Sequence, residues 1–177
     1  MSRAAFLDRD GVINRRAPKG EYVTRWEDVR ILPGVAAAIA QLNLADFRVI
    51  VVTNQRCVAK GLLTTAHLES MHQRMRDALA ADGATLDGIY YCPHETQPAC
   101  SCRKPAPGML LAAARRHELN LPESWMIGDS DIDVAAGRSA GCKTARLLSG
   151  TENAYGSADV VAPSLLDAVR QILRWET

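Results

Sequence analysis

The chain has 177 residues, 47% of them apolar and 23% charged, which points to one globular domain able to bury a core without disulfides. Lys plus Arg number 21 against 20 Asp plus Glu, a formal charge of +1, so whole-chain electrostatics make no case for nucleic acid or an anionic membrane as the main partner. No apolar run approaches the about 18 residues a membrane span requires. Asp8, Arg9 and Asp10 fall where the apolar stretch of an export signal would sit, so a reducing cytoplasm is expected, and clustered cysteines there point to metal before disulfide.

In chain order, residues 4–8 read as a first strand. Residues 34–43, after Pro33, read as a helix. Residues 47–54 (FRVIVVTN) form the clearest strand, an unbroken apolar run of the kind covered on both faces. A second helix over 65–82 places Leu68, Met71, Met75 and Leu79 on one stripe. Strands follow at 86–91, 124–128, 143–147 and 159–161, with helices at 107–118, 132–140 and 163–175; Gly83 and Gly141 stand where helix C-caps belong. Strands alternating with helices predict an α/β fold with a mainly parallel sheet. Ligands bind such sheets beyond the carboxyl ends of the strands, here after Asp8, Asn54 and Gly128.

The first of these ends reads Asp8-Arg9-Asp10-Gly11. Side chains alternate along a strand, so continued strand geometry would aim Asp8 and Asp10 the same way, where a divalent cation relieves their repulsion. A solvated turn is the plainer alternative, since Asp and Gly are turn residues. The second end, Thr53-Asn54-Gln55, offers a hydroxyl and two amides suited to an oxyanion, or merely opens a polar loop. The third, Gly128-Asp129-Ser130-Asp131-Ile132-Asp133, supplies acids that suit a helix N-cap, Asp131 above all, while Asp129 sits at the strand end itself. Before it comes Lys104, held extended by Pro105 and able to reach a phosphate or the acids.

The loop after the third strand carries Cys92, His94, Cys100 and Cys102 within eleven residues. Three thiols and an imidazole fill a tetrahedral zinc site with no open position, as in structural sites. Zinc there would stiffen the loop that delivers Arg103 and Lys104. Cys57 and Cys142 fall outside the cluster, and Cys142 reads as a small buried residue.

Asp-x-Asp-Gly, Thr, Lys and Gly-Asp-x-x-x-Asp, in that order over about residues 4–148, resemble the haloacid dehalogenase superfamily. Within it, the Cys-x-His and Cys-x-Cys-Arg-Lys-Pro pairs, with Asp87-Gly88-Ile89-Tyr90-Tyr91 ahead of them, look like the D-glycero-D-manno-heptose 1,7-bisphosphate phosphatases, close relatives of a histidinol-phosphate phosphatase domain. Two segments depart from that pattern. Arg56-Cys57 stands where the family reads Ser-Gly, and the segment from Arg15 and Arg16 to Lys19 is longer and more basic than is usual there.

The resemblance implies a Rossmann-like, mainly parallel sheet with helices on both faces, no large cap and a zinc-bound loop, in one domain over 1–177. It implies a phosphatase in which Asp8 is the nucleophile and Asp10 the general acid and base. Magnesium would be held by the Asp8 side chain, the Asp10 carbonyl and Asp129, with Asp133 behind them, orienting Lys104 or a water on the metal. Thr53, Asn54 and Lys104 would hold the transferring phosphate, and Gln55, Arg56 and Arg103 would meet the rest of the substrate. The expected partner is a small phosphorylated sugar, with neither nucleic acid nor membrane, acting on a monomer. A histidinol phosphate or polynucleotide 3′-phosphate substrate and a catalytically dead zinc module are the alternatives. The last is disfavoured because Asp8, Asp10, Lys104 and Asp129 are all present.

Overall fold

The computed structural model describes residues 1–148 and 158–175. Six strands form one sheet: β1 (Arg3–Leu7), β2 (Phe47–Asn54), β3 (Gly88–Cys92), β4 (Trp125–Gly128), β5 (Lys143–Leu147) and β6 (Val160–Ala162). Their order is β3-β2-β1-β4-β5-β6 and every pairing is parallel. The expected α/β class therefore holds, with a wholly parallel sheet among the described residues. The helices are α1 (Val35–Leu44), α2 (Thr65–Ala81), α3 (Gly108–His117), α4 (Asp131–Ala140) and α5 (Leu165–Trp175).

The period of two along each strand divides the core. On β1, Ala5 and Leu7 join one apolar cluster and Ala4 and Phe6 the other; on β2, Val49 and Val51 part from Ile50 and Val52 in the same way. The first cluster is covered by α1 and α5 through Ile39, Leu42, Val169 and Ile172, the second by α3 and α4 through Met109, Leu110, Ala136 and Ala140. With both faces covered, β1, β2 and β4 are apolar through their centres, and polar residues collect at their carboxyl ends.

The segment from β1 to α1 carries only a 3-10 turn at Trp26–Asp28. Its base is pinched by a bridge between Asn14 and Ile31 and by the Arg15 N–H donating to the Arg30 carbonyl at 2.8 Å. Val23 and Trp26 fasten this flap onto a third apolar cluster with Cys57, Leu63, Leu68 and Met71 at the start of α2. No cap interrupts the described residues. A second 3-10 turn at Leu121–Glu123 leads into β4.

Candidate active site

Chain order and sheet order reverse between β1 and its neighbours β2 and β4, and a crevice opens there at the carboxyl edge. The Asp8 N–H donates to the Ile127 carbonyl at 3.0 Å, extending the β1–β4 ladder one bond past the strand and setting Asp8 at the centre of that edge. A cleft of about 210 Å³ is lined there by Asp8, Asp10, Thr53, Asn54, Gln55, Arg103, Lys104 and Asp133, together with Arg16, Tyr22 and Ile132. All the expected catalytic side chains thus meet at one edge.

Lys104 is the hub. Its buried ammonium lies 2.9 Å from Asp8 Oδ1 and 2.6 Å from Asp133 Oδ1, and donates to the Val52 carbonyl at 2.8 Å. Burial alone would lower its pKa, but the two carboxylates outweigh burial and raise it, so the lysine stays charged. Its backbone is held by Asn54. The Lys104 N–H donates to Asn54 Oδ1 at 3.0 Å, and Asn54 Nδ2 donates to the Lys104 carbonyl at 3.1 Å. Asn54 therefore fixes the lysine loop.

Asp133 is placed from the helix side. Its Oδ2 accepts from the Ser130 N–H at 3.1 Å and the Ser130 hydroxyl at 2.5 Å, so Ser130 rather than Asp131 caps α4, and Asp131 turns outward to Arg146. A Cβ on Gly128 would come within 2.1 Å of the Asp133 Cβ; only glycine lets the helix start this close to the strand end.

Asp8, Asp129 and Asp133 each bring an oxygen within 4.8 Å of the others. Burial pushes the Asp8 carboxyl up to about 6 despite Lys104, and pushes Asp129 up to about 7 despite Arg16, whose Nη2 lies 2.5 Å from Asp129 Oδ1. Three crowded carboxylates served by one ammonium and one arginine fit a hard divalent cation. Gly11, at φ +94°, carries the turn beneath them; a Cβ there would strike Asp129 Oδ2 at 1.8 Å.

Asp10 belongs to a separate network. Arg9 reaches back to it with three bonds of 3.2, 3.1 and 2.9 Å, Asn14 Nδ2 donates at 2.9 Å and Gln55 Nε2 at 3.0 Å. Burial opposes ionisation, but Arg9 and these donors outweigh it and lower the Asp10 pKa. Gln55 Nε2 also donates to Thr53 Oγ1 at 2.9 Å, and Arg9 donates to Gln55 Oε1 at 3.1 Å. The remaining Arg9 amine lies 3.2 Å from His72 Nε2 on α2; burial and then Arg9 hold that imidazole near pKa 3, so it accepts as a neutral ring. Sequence reasoning passed over Arg9, Asn14 and His72. Arg9 stood between the two acids, but nothing in its spacing shows that it turns inward.

Arg56 turns to Glu95 in a two-pronged ion pair, with Nη2 2.7 Å from Oε2, linking the loop after β2 to the thiol loop; it is not among the residues lining the cleft. Arg103 does line it. In the thiol loop, Cys92 and Cys100 sulfurs lie 3.5 Å apart, Cys100 and Cys102 3.4 Å, and His94 Nδ1 lies 3.6 Å from Cys92 and 3.2 Å from Cys102. Bonds of about 2.3 Å to sulfur give tetrahedral edges of about 3.8 Å, shorter where nitrogen replaces sulfur, so the four atoms fit one zinc ion. Against the cost of burial, hydrogen bonds from Cys102 and Cys92 lower the Cys100 thiol to about 6.

A HAD-hydrolase-like family model matches residues 101–168. The D-glycero-beta-D-manno-heptose-1,7-bisphosphate 7-phosphatase of Rhodopseudomonas palustris is 43% identical over 145 residues, covering 78% of this chain and 79% of the relative. The D-glycero-alpha-D-manno-heptose-1,7-bisphosphate 7-phosphatase of Mycobacterium bovis is 39% identical over 166 residues, covering 90% and 86%. A crystal structure of the D,D-heptose 1,7-bisphosphate phosphatase from Bordetella bronchiseptica, complexed with magnesium and phosphate, matches with a TM-score of 0.89 at 35% identity, covering 98% of this chain and 99% of that one. Relatives this similar over most of their length, on a sheet whose carboxyl edge gathers the acids and the lysine, settle the kinship: the chain belongs to the heptose-bisphosphate phosphatase family of haloacid dehalogenase-like hydrolases.

Proposed function

We propose that the protein is a magnesium-dependent phosphomonoesterase that removes the 7-phosphate of D-glycero-D-manno-heptose 1,7-bisphosphate. The observation that carries this is the Lys104 ammonium spanning Asp8 and Asp133 at the carboxyl edge, beside Asp129, in a chain whose relatives bear that activity in their names.

In this reading Asp8 Oδ attacks phosphorus. A bond forms from carboxylate oxygen to phosphorus, and the bond to the sugar oxygen breaks, leaving an aspartyl-phosphate. Asp10 enters the first step carrying a proton taken up from solvent, gives it to the departing oxygen, and regains one from the water that attacks phosphorus and releases Asp8, so each cycle returns it protonated. Lys104 and Thr53 steady the phosphoryl oxygens, and Asn54 keeps Lys104 in place. Asp133 holds the ammonium from behind. Magnesium would be held by the Asp8 side chain, the Asp10 carbonyl and Asp129, and would supply positive charge that offsets the repulsion between carboxylate and phosphate. Gln55 acts through Asp10 and Thr53, Arg103 meets the sugar end of the substrate, and Arg56 braces the thiol loop. Zinc on Cys92, His94, Cys100 and Cys102 shapes that loop. The same reading makes the chain a cytoplasmic monomer, one cap-less unit over 1–177; among the described residues no helix is long and apolar enough to cross a membrane.

The test is phosphate release from the α and β heptose 1,7-bisphosphates, fructose 1,6-bisphosphate, histidinol phosphate and a 3′-phosphorylated oligonucleotide, with and without magnesium. One heptose anomer exceeding every other substrate at least about tenfold in kcat/KM is the expected result, and it names the anomer. Histidinol phosphate in first place would overturn the assignment.

A further inference from the structure

The basic flap is the one sequence feature that this reaction leaves unused, and the structure shows where its arginine goes. Arg16 comes down from the flap to Asp129, Nη2 to Oδ1 at 2.5 Å, and lines the same cleft as Asp8, Lys104 and Arg103. The two ends of this contact differ. The Asp129 side chain is 12% exposed and the Arg16 side chain 56%. The carboxylate is fixed: it comes from the end of β4, and its Oδ2 packs over Gly11 so closely that a Cβ there would lie 1.8 Å away. The guanidinium is attached to an irregular flap and half open to water.

The charge balance explains why the arginine is there. Asp8, Asp129 and Asp133 crowd within 4.8 Å, and of these three Lys104 bonds Asp8 and Asp133. Asp129 is left to Arg16. A divalent cation joining Asp8 and Asp129 brings two positive charges beside that guanidinium, and like charges this close in a partly buried site repel. The contact that serves the cation-free protein then becomes unfavourable. The freed arginine still lines the cleft, as Arg103 does, where a planar fork suits a phosphate.

We infer that Arg16 is a displaceable counter-ion. It occupies Asp129 until a divalent cation binds, and then turns to the phosphate at the far end of a bisphosphate substrate. The second half rests on the proposed bisphosphate substrate; the first does not. Linkage requires the coupling to run both ways, so cation binding and capture of the distal phosphate strengthen each other.

Two measurements on the full chain test this. In calorimetric titration with magnesium chloride alone, Arg16→Gln binds magnesium about fivefold more tightly than the unsubstituted protein, because no guanidinium has to be expelled. In steady-state assays, the ratio of kcat/KM for heptose 1,7-bisphosphate to kcat/KM for heptose 7-phosphate falls about tenfold in Arg16→Gln. Arg16→Lys, which keeps the charge but not the fork, binds magnesium as the unsubstituted protein does and shows an intermediate ratio. Unchanged or weaker magnesium binding by Arg16→Gln overturns the inference, as does an unchanged ratio. Failure of the unsubstituted protein on every heptose bisphosphate overturns the substrate assignment instead, and leaves the magnesium titration to decide whether Arg16 competes with the cation.

Discussion

The two candidate metal centres are built in opposite ways. The acid centre draws Asp8, Asp129 and Asp133 from β1, β4 and α4, positions scattered along the chain and brought together by the sheet. Two of its side chains are held by close neighbours, Asp133 by Ser130 and Asp8 by the buried Lys104. The thiol centre takes its four donors from eleven consecutive residues, Cys92 at the end of β3 and three from the loop after it, each in contact with two of the others. The first is assembled by folding and waits for its ion. The second, on the zinc reading proposed above, depends on its ion to hold the loop together, as small structural zinc sites do.

The sharpest way to break this comparison is Asp8→Asn. It removes the nucleophile from a site whose scaffold is otherwise intact, so turnover should fall by about a thousandfold or more while zinc content and melting temperature stay near those of the parent. A fully active Asp8→Asn protein would sink the mechanism. Cys100→Ser probes the other centre. Zinc measured by mass spectrometry should be lost, and kcat/KM should drop by about 10- to 100-fold because the loop that presents Arg103 and Lys104 loosens; residual magnesium-dependent turnover should survive, since Asn54 still grips Lys104. Complete loss of magnesium-dependent turnover in a folded Cys100→Ser protein would show that the two centres are not independent.

The third test concerns the lock on Asp10. His72 has a folded pKa near 3 against about 6.5 unfolded, so the unfolded chain binds a proton that the folded chain refuses. Its contribution to stability is whole above pH 6.5 and is lost as pH falls from there toward 3. Urea unfolding at pH 7 and pH 5 should show the parent losing about 2 kcal/mol more than His72→Gln, whose amide can still accept from Arg9. Equal losses would mean that His72 is not held neutral.

The site was legible from sequence because Asp8, Thr53 and Asp129 stand at the ends of apolar strands, each with only one place to be on a parallel sheet, and Lys104 and Asp133 follow from the order of the motifs around those ends. Asp8, Thr53, Lys104, Asp129 and Asp133 could therefore be placed by order alone. The thiol loop was legible for a simpler reason, the density of soft ligands. What escaped was pairing. Arg9 looked like a spacer between two acids, yet its guanidinium folds back onto Asp10 and reaches His72, 63 residues further along the chain. Arg56 looked like a free cation for substrate and Arg16 like one charge of a basic flap, yet each is met by a carboxylate, Glu95 and Asp129. Charge counts give the sum of such groups; which acid neutralises which base depends on loop geometry that no periodicity encodes.

The amide of Asn54 has a further consequence. It gives one hydrogen bond to the Lys104 main chain and takes one from it, the exchange that a neighbouring strand would make. A single side chain thereby stands in for a seventh strand, and a residue that belongs to a loop is annealed to the sheet. The long lysine reaches Asp8 from an anchored base, so most of the disorder it must surrender is lost once, during folding, and not afresh with each substrate that enters.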